Sequence, residues 1–279
     1  MTINCKGSLI DLSIPRVMGI LNVTPDSFFD GGKYTKETAI LKRVETILDQ
    51  GATFIDLGAY STRPGAEQVS EQEEIQRSVP ITKLILKHFP EALISVDTFR
   101  AEVARQNIES GASLINDISG GLLDSQMIPV VGKLQVPYIL MHMKGDPKTM
   151  QQHTQYDHLI KDLLYYFSQR IQQARIHKIN DIIIDPGFGF AKSLDQNYEL
   201  MAKLELLHIL KLPLFVGVSR KSMIYNLLET HPEEALNGTT SLNTIALGKG
   251  AHILRVHDVK QAVECVKIHQ MINKNNTGV

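Results

Sequence analysis

Ile182-Ile183-Ile184-Asp185-Pro186-Gly187 is three β-branched residues, an acid and a turn, with no polar face anywhere in the run. A short segment that is apolar at every position suits a strand buried on both sides, as parallel sheets require. The same unit recurs toward the N-terminus. Val17–Leu21 runs into Asn22, Thr53–Leu57 into the loop around Thr62, Leu93–Val96 into Asp97, and Ser113–Ile115 into Asn116. Tyr138–Met141 leads into His142, Leu214–Val218 into Ser219-Arg220-Lys221, and Ile253–Leu254 into Arg255-Val256-His257. Polar groups at the ends of many parallel strands converge on one rim, and in barrel enzymes that rim carries the active site.

Segments with helical periodicity fill the gaps. Thr38–Gln50 carries Ile40, Leu41, Val44, Ile47 and Leu48 in a narrow apolar stripe. Glu71–His88 repeats the pattern, with Pro80 predicting a kink or a restart. Arg100–Ser110 stops at Gly111, and Leu122–Leu134, Asp157–His177, Leu194–Leu210, Thr239–Gly248 and Val259–Met271 supply the rest. Alternating strands and helices at this spacing predict one α/β domain over residues 1–279, a (β/α)8 TIM barrel. Ile3–Leu12, with Gly7 midway, reads as a short N-terminal β-hairpin placed to plug the lower opening of the barrel. A doubly wound open sheet is the competing architecture, but it gathers its ligand groups on two or three strands at a switch point. Here polar groups end most of the runs.

Composition removes several function classes. With 29 basic and 30 acidic residues the net charge is −1, so no global field draws the chain to nucleic acid or membrane. No apolar stretch approaches the roughly 20 residues of a membrane helix, and the start lacks the basic-then-apolar layout of a secretory signal. Cys5 and Cys265 lie near opposite ends without metal-ligand spacing and read as free thiols. The expectation is a cytoplasmic protein with a local anion site.

Three constellations carry chemistry. Asn22-Val23-Thr24-Pro25-Asp26-Ser27-Phe28-Phe29-Asp30-Gly31-Gly32 takes a strand end into a polar loop holding two adjacent aromatics, as a lid over a ligand would. Ser61-Thr62-Arg63-Pro64-Gly65-Ala66 offers hydroxyls, a guanidinium and turn N–H groups to an anion. Arg63 alone equally suits a solvated loop. Arg255 and His257, two residues apart on one strand end, point to the same side, so a phosphate or diphosphate is the natural guest. Asp97, Asn116 and Asp185 end three other strands, with Lys221 opposite. Two acids beside an amide present acceptors to a ring rich in N–H donors, such as a fused aminopyrimidinone, and Lys221 donates to a ring carbonyl. Either acid alone equally suits the cap of the helix that follows it. Asp185-Pro186-Gly187-Phe188-Gly189-Phe190 adds close backbone approach and stacking surface, and Ser219-Arg220-Lys221-Ser222 opens a helix whose N–H groups suit an anionic group.

Taken together, the LNVTPDSF, STRPGA, DPGFGF and SRKS blocks and the closing RVH resemble the dihydropteroate synthase family, pterin-binding enzymes of folate biosynthesis. The resemblance spans Asn22 to His257, with no break in those motifs. It implies a transferase that condenses 6-hydroxymethyl-7,8-dihydropterin diphosphate with p-aminobenzoate, releasing diphosphate and 7,8-dihydropteroate by an SN1-like, Mg2+-assisted path. It implies Asp97, Asn116, Asp185 and Lys221 as pterin contacts with Arg255 stacked over the ring. Asn22, Thr62, Arg63, Arg255 and His257 would hold the diphosphate, with Mg2+ on Asn22. Phe28, Pro64, Phe190, Lys221 and Ser222 would form the p-aminobenzoate pocket. Asp97, Asp185, Lys221, Arg255 and His257 would then act on the reacting atoms. Sulfonamides are expected competitive ligands, and a homodimer is implied.

A pterin-binding methyltransferase acting on methyltetrahydrofolate could share the ring grip but has no use for a diphosphate clamp. A non-catalytic pterin-binding protein would tolerate loss of Lys221 or of the lid loops, and both are present. A metal-dependent hydrolase lacks H-x-H after the first strand, and His142, His153 and His158 are scattered.

Overall fold

The computed structural model describes residues 1–23, 33–60, 69–146 and 149–276. The hairpin comes first: β1 (Thr2–Cys5) pairs antiparallel with β2 (Ser8–Asp11). Lys6 and Gly7 between them both take positive φ, 54° and 83°, the left-handed conformation that a two-residue hairpin turn demands.

The barrel strands follow as β3 (Arg16–Asn22), β4 (Phe54–Gly58), β5 (Leu93–Asp97), β6 (Leu114–Asp117), β7 (Tyr138–Met141), β8 (Ile182–Asp185), β9 (Phe215–Val216) and β10 (Ile253–Val256). They form one parallel sheet in the order β8-β7-β6-β5-β4-β3-β10-β9. A single bridge between Ile184 and Leu214 joins the two edges. Each of the eight apolar runs is a strand, and the expected near-closed barrel is what forms.

The helices on the outside are α1 (Lys33–Asp49), α2 (Glu71–His88), α3 (Ala101–Glu109), α4 (Met127–Leu134), α5 (Leu159–Ile176), α6 (Leu194–Ala202), α7 (Ser222–Tyr225), α8 (Leu236–Gly248) and α9 (Val259–Asn276). Their buried faces pack on the outward residues of the strands, including Val17, Leu21, Ile55, Leu57, Ile94 and Val96. Three helix boundaries differ from the expectation. Pro80 causes no restart, and α2 runs through it without a break. The segment from Leu122 begins its helix only at Met127, because Asp124 is held in a turn ahead of it. Its Oδ1 accepts from Gln126 N at 2.9 Å, while its Oδ2 accepts from Ala101 N at 2.7 Å, at the start of α3. Leu194–Leu210 is likewise split, with α6 followed by a 3-10 segment over Leu204–Leu210.

Inside the barrel the chain separates apolar from polar by depth. Met18, Phe54, Leu114, Ile139, Ile183, Phe215 and Ile253, early in their strands, form one buried cluster with Ile3, Cys5 and Leu12 of the hairpin region. The hairpin therefore closes the lower opening, as its position in the sequence predicted. Both cysteines are free buried thiols, and burial pushes Cys5 up to about 12. Among the described residues, no helix is long and apolar enough to cross a membrane.

Candidate active site

Two residues further along β4, β6, β8 and β10, and at the end of β5, the inward positions become polar. Asp56 on β4, Asp97 at the end of β5, Asn116 on β6, Asp185 at the end of β8 and Arg255 on β10 all lie at the C-terminal side of the barrel. Arg255 organises them. Its Nε meets Asp56 Oδ2 at 2.5 Å and one terminal nitrogen meets Asp97 Oδ2 at 2.7 Å, while Asn116 Nδ2 donates to the same Asp56 oxygen at 3.1 Å. A side-chain Cβ built on Gly58 would come within 3.2 Å of Asn22 Oδ1 and 3.7 Å of Asp97 Oδ2, so Asn22 joins this group across the end of β4.

Lys221 closes the other side. Its Nζ donates to the Phe188 carbonyl and lies 4.7 Å from the centre of the Phe190 ring. Asp185 accepts from Gly187 N at 2.8 Å and favours the charged form of Lys221. Neither Asp97 nor Asp185 caps a helix. Asp124 serves α3, and Ser193 with Gln196 makes a capping box on α6, which leaves both acids to the barrel mouth.

The charges are tuned by burial. Asp97 is pushed up to about 7, against the pull of Arg255 and with the help of Asp56 and Glu74. Asp185 is also raised by burial, opposed first by Lys221. Burial brings Lys221 down to about 8, with Asp185 resisting. Burial works to lower Arg255 too, but Asp56 and Asp97 outweigh it and hold the guanidinium above its ordinary value.

At the rim between β9 and β10, His257 Nδ1 meets Ser219 Oγ at 3.0 Å and its backbone N–H donates to the same oxygen at 3.2 Å. Arg43 holds the His257 carbonyl at 2.9 Å, and Arg220 makes a two-nitrogen contact with Asp258 at 3.0 and 2.6 Å. Ser222 begins α7 and is exposed. Phe28, Thr62, Arg63 and Pro64 lie outside the described residues.

Sequence reasoning missed Asp56 and Lys192. Asp56 is fully buried, and among the described residues its Oδ1 has no hydrogen-bond partner, although an acid inside an otherwise apolar strand was a readable anomaly. Lys192 is 3% exposed behind the Asp185–Phe190 segment, and nothing in its local sequence marks it.

An acidic cradle facing a lysine on a barrel rim is what recognition of a flat, donor-rich ring requires. The profile of the family described as pterin binding enzyme matches residues 18–257, which takes in the barrel from β3 to the His257 rim. The chain belongs to the pterin-binding enzyme family. Its relatives within that family include dihydropteroate synthases. The Escherichia coli K12 enzyme is 46% identical over 271 residues, 96% of this chain and 95% of the relative. The Synechocystis enzyme is 43% identical over 90% of this chain and 88% of its own length. Among solved structures, Yersinia pestis dihydropteroate synthase in a sulfonamide drug complex superposes with a TM-score of 0.92 at 43% identity, covering 98% of this chain and 100% of that one. The Xanthomonas albilineans enzyme with 4-aminobenzoic acid gives a TM-score of 0.90 at 36% identity over 98% of both chains. The pterin-binding resemblance and the barrel it implied are therefore borne out over nearly the whole length.

Proposed function

We propose that this dihydropteroate synthase relative condenses 6-hydroxymethyl-7,8-dihydropterin diphosphate with p-aminobenzoate, as a cytoplasmic transferase of folate biosynthesis. The observation that carries the reading is the linked set Asn116–Asp56–Arg255–Asp97, with Asp185 and Lys221 on the same rim. Asp97, Asn116 and Asp185 would accept from the ring and exocyclic N–H groups, and Lys221 would donate to the ring carbonyl. Arg255, already held by two acids, presents its planar group beside the ring, a geometry suited to stacking.

Loss of diphosphate leaves positive charge on the pterin methylene, delocalised into the ring. Carboxylates fixed in a poorly hydrated site stabilise that charge without reorganising, which favours departure before attack. The aniline nitrogen, a modest nucleophile, then closes the new C–N bond and gives up its proton. His257, Thr62 and Arg63 are assigned to the departing diphosphate, and Phe28, Pro64, Phe190, Lys221 and Ser222 to p-aminobenzoate. Sulfonamides, which resemble p-aminobenzoate, would compete there.

Mg2+ fits as an ion carried in with the substrate. Asn22 offers a neutral amide oxygen at the rim, and among the described residues no three His, Cys, Asp or Glu side chains converge on one point. Such a donor suits a hard cation whose remaining ligands are phosphate oxygens and water. When bound it would offset charge on the leaving diphosphate.

The apolar residues exposed on α8 and α9, Ile245, Ile268, Met271 and Ile272, support a homodimer built on these helices. The reaction is tested by incubating the protein with Mg2+, the pterin diphosphate and p-aminobenzoate. Dihydropteroate and diphosphate should appear in equal amounts and only when both organic substrates are present. Pterin bound without product under the same conditions would favour the non-catalytic alternative.

A further inference from the structure

Behind the turn from Gly187 to Phe190 lies a lysine that the reaction scheme does not use. Lysine is among the residues least often buried, and one enclosed to this degree needs partners that offset its desolvation. Lys192 Nζ has three: His142 Nδ1 at 3.2 Å, Gly187 O at 3.0 Å and Phe190 O at 3.1 Å. Two lie at the ends of the same turn, and the third is fixed at the end of β7. His142 is itself locked, edge-on to Tyr166 with ring centres 4.8 Å apart, and burial holds it well below its ordinary pKa. On the opposite side of the turn, Lys221 donates to Phe188 O and lies over Phe190. The turn is thus gripped by one lysine from behind and another from the mouth of the barrel. Asn197 braces it further, accepting from Gly189 N at 2.6 Å and donating to Lys192 O at 3.3 Å.

We propose that Lys192 is a positioning residue, tying the Gly187–Phe190 turn to His142 so that Phe190 is held in place for the incoming aromatic amine. The inference rests on the p-aminobenzoate assignment made above. The charged and titratable groups facing Lys192 are His142, Asp185, Lys221 and Lys144. Burial brings Lys192 down to about 7, with Asp185 opposing. The tether survives either state. An ammonium donates to all three partners, whereas a neutral amine still donates to both carbonyls and accepts from His142 in its other tautomer.

Lys192→Met fills the space and removes the donor. His142→Phe keeps the ring packing and removes one anchor. In Lys192→Met, KM for p-aminobenzoate should rise roughly tenfold, while KM for the pterin diphosphate and kcat move less than about twofold. His142→Phe should move the same constant in the same direction by a smaller factor. Amide exchange in residues 187–190 should accelerate about tenfold in both variants, with β3 to β5 unchanged. Equal shifts in both KM values, or wild-type exchange across the turn, would overturn the proposal. Exchange reads the tether without turnover. A wild-type protein that makes no dihydropteroate therefore refutes the functional reading, while the turn's exchange still decides the tether.

Discussion

Arg255 enters the barrel mouth already committed to Asp56 and Asp97, so two buried acids share one cation before any ligand arrives. The remaining tuning sets a pH window. A ring that donates N–H groups needs Asp97 ionised, and burial has raised that acid to about 7. A charged Lys221 is the stronger donor to a carbonyl, and burial has lowered it to about 8. Below the first value the ligand must displace a proton from Asp97; above the second, Lys221 loses its charge and donates more weakly. A profile of kcat/KM for the pterin diphosphate against pH should be a narrow bell between these limbs, and a flat profile from pH 5 to 10 would contradict the assignment. At this scale the sequence was legible where a polar side chain ended an apolar run: Asn22, Asp97, Asn116 and Asp185 all reach the rim. Asp56 escaped notice because it lies within its strand, where period-two alternation turns it inward. Lys192 could not be read at all, since its partners are a ring 50 residues away and two main-chain carbonyls.

Among the elements, the segment after β8 shows how local chemistry fixes the site. Gly187 takes φ 70°, and a Cβ there would lie 2.2 Å from the His142 carbonyl oxygen. Left-handed strain and a backbone clash act together, so Gly187→Ala should cost about 2–4 kcal/mol. Urea unfolding measures the loss, and a variant within about 0.5 kcal/mol of wild type would show that the turn is not under this constraint. Element identity was legible because burial and periodicity are local properties: every strand run and every helical stripe found its counterpart. Boundaries were not. Asp124 holds the turn before α4 and reaches across to the first N–H of α3, a contact that only the fold creates, and α2 absorbs Pro80 because tertiary packing outweighs one missing hydrogen bond.

Across the whole molecule, the barrel divides its labour by depth. The lower interior, with the hairpin, is apolar and closed, and the upper interior is ionisable and open to ligand. That polarity explains why the strand ends alone announced an enzyme. The outer surface is less legible, since an apolar helix stripe looks the same whether it meets a strand or another chain. The exposed residues of α8 and α9 nevertheless lead to a definite mass: light scattering at micromolar concentration should give twice 31.2 kDa, and a monomer would refute the dimer. The central claim is that the acids of the upper barrel hold a flat, donor-rich ring. It is tested most directly by titrating the dihydropterin diphosphate into wild-type protein and Asp97→Ala at pH 7.5. Binding should weaken by about a hundredfold in a variant that stays folded, the loss of a charge-assisted pair of hydrogen bonds. Equal affinity in the two proteins would contradict it.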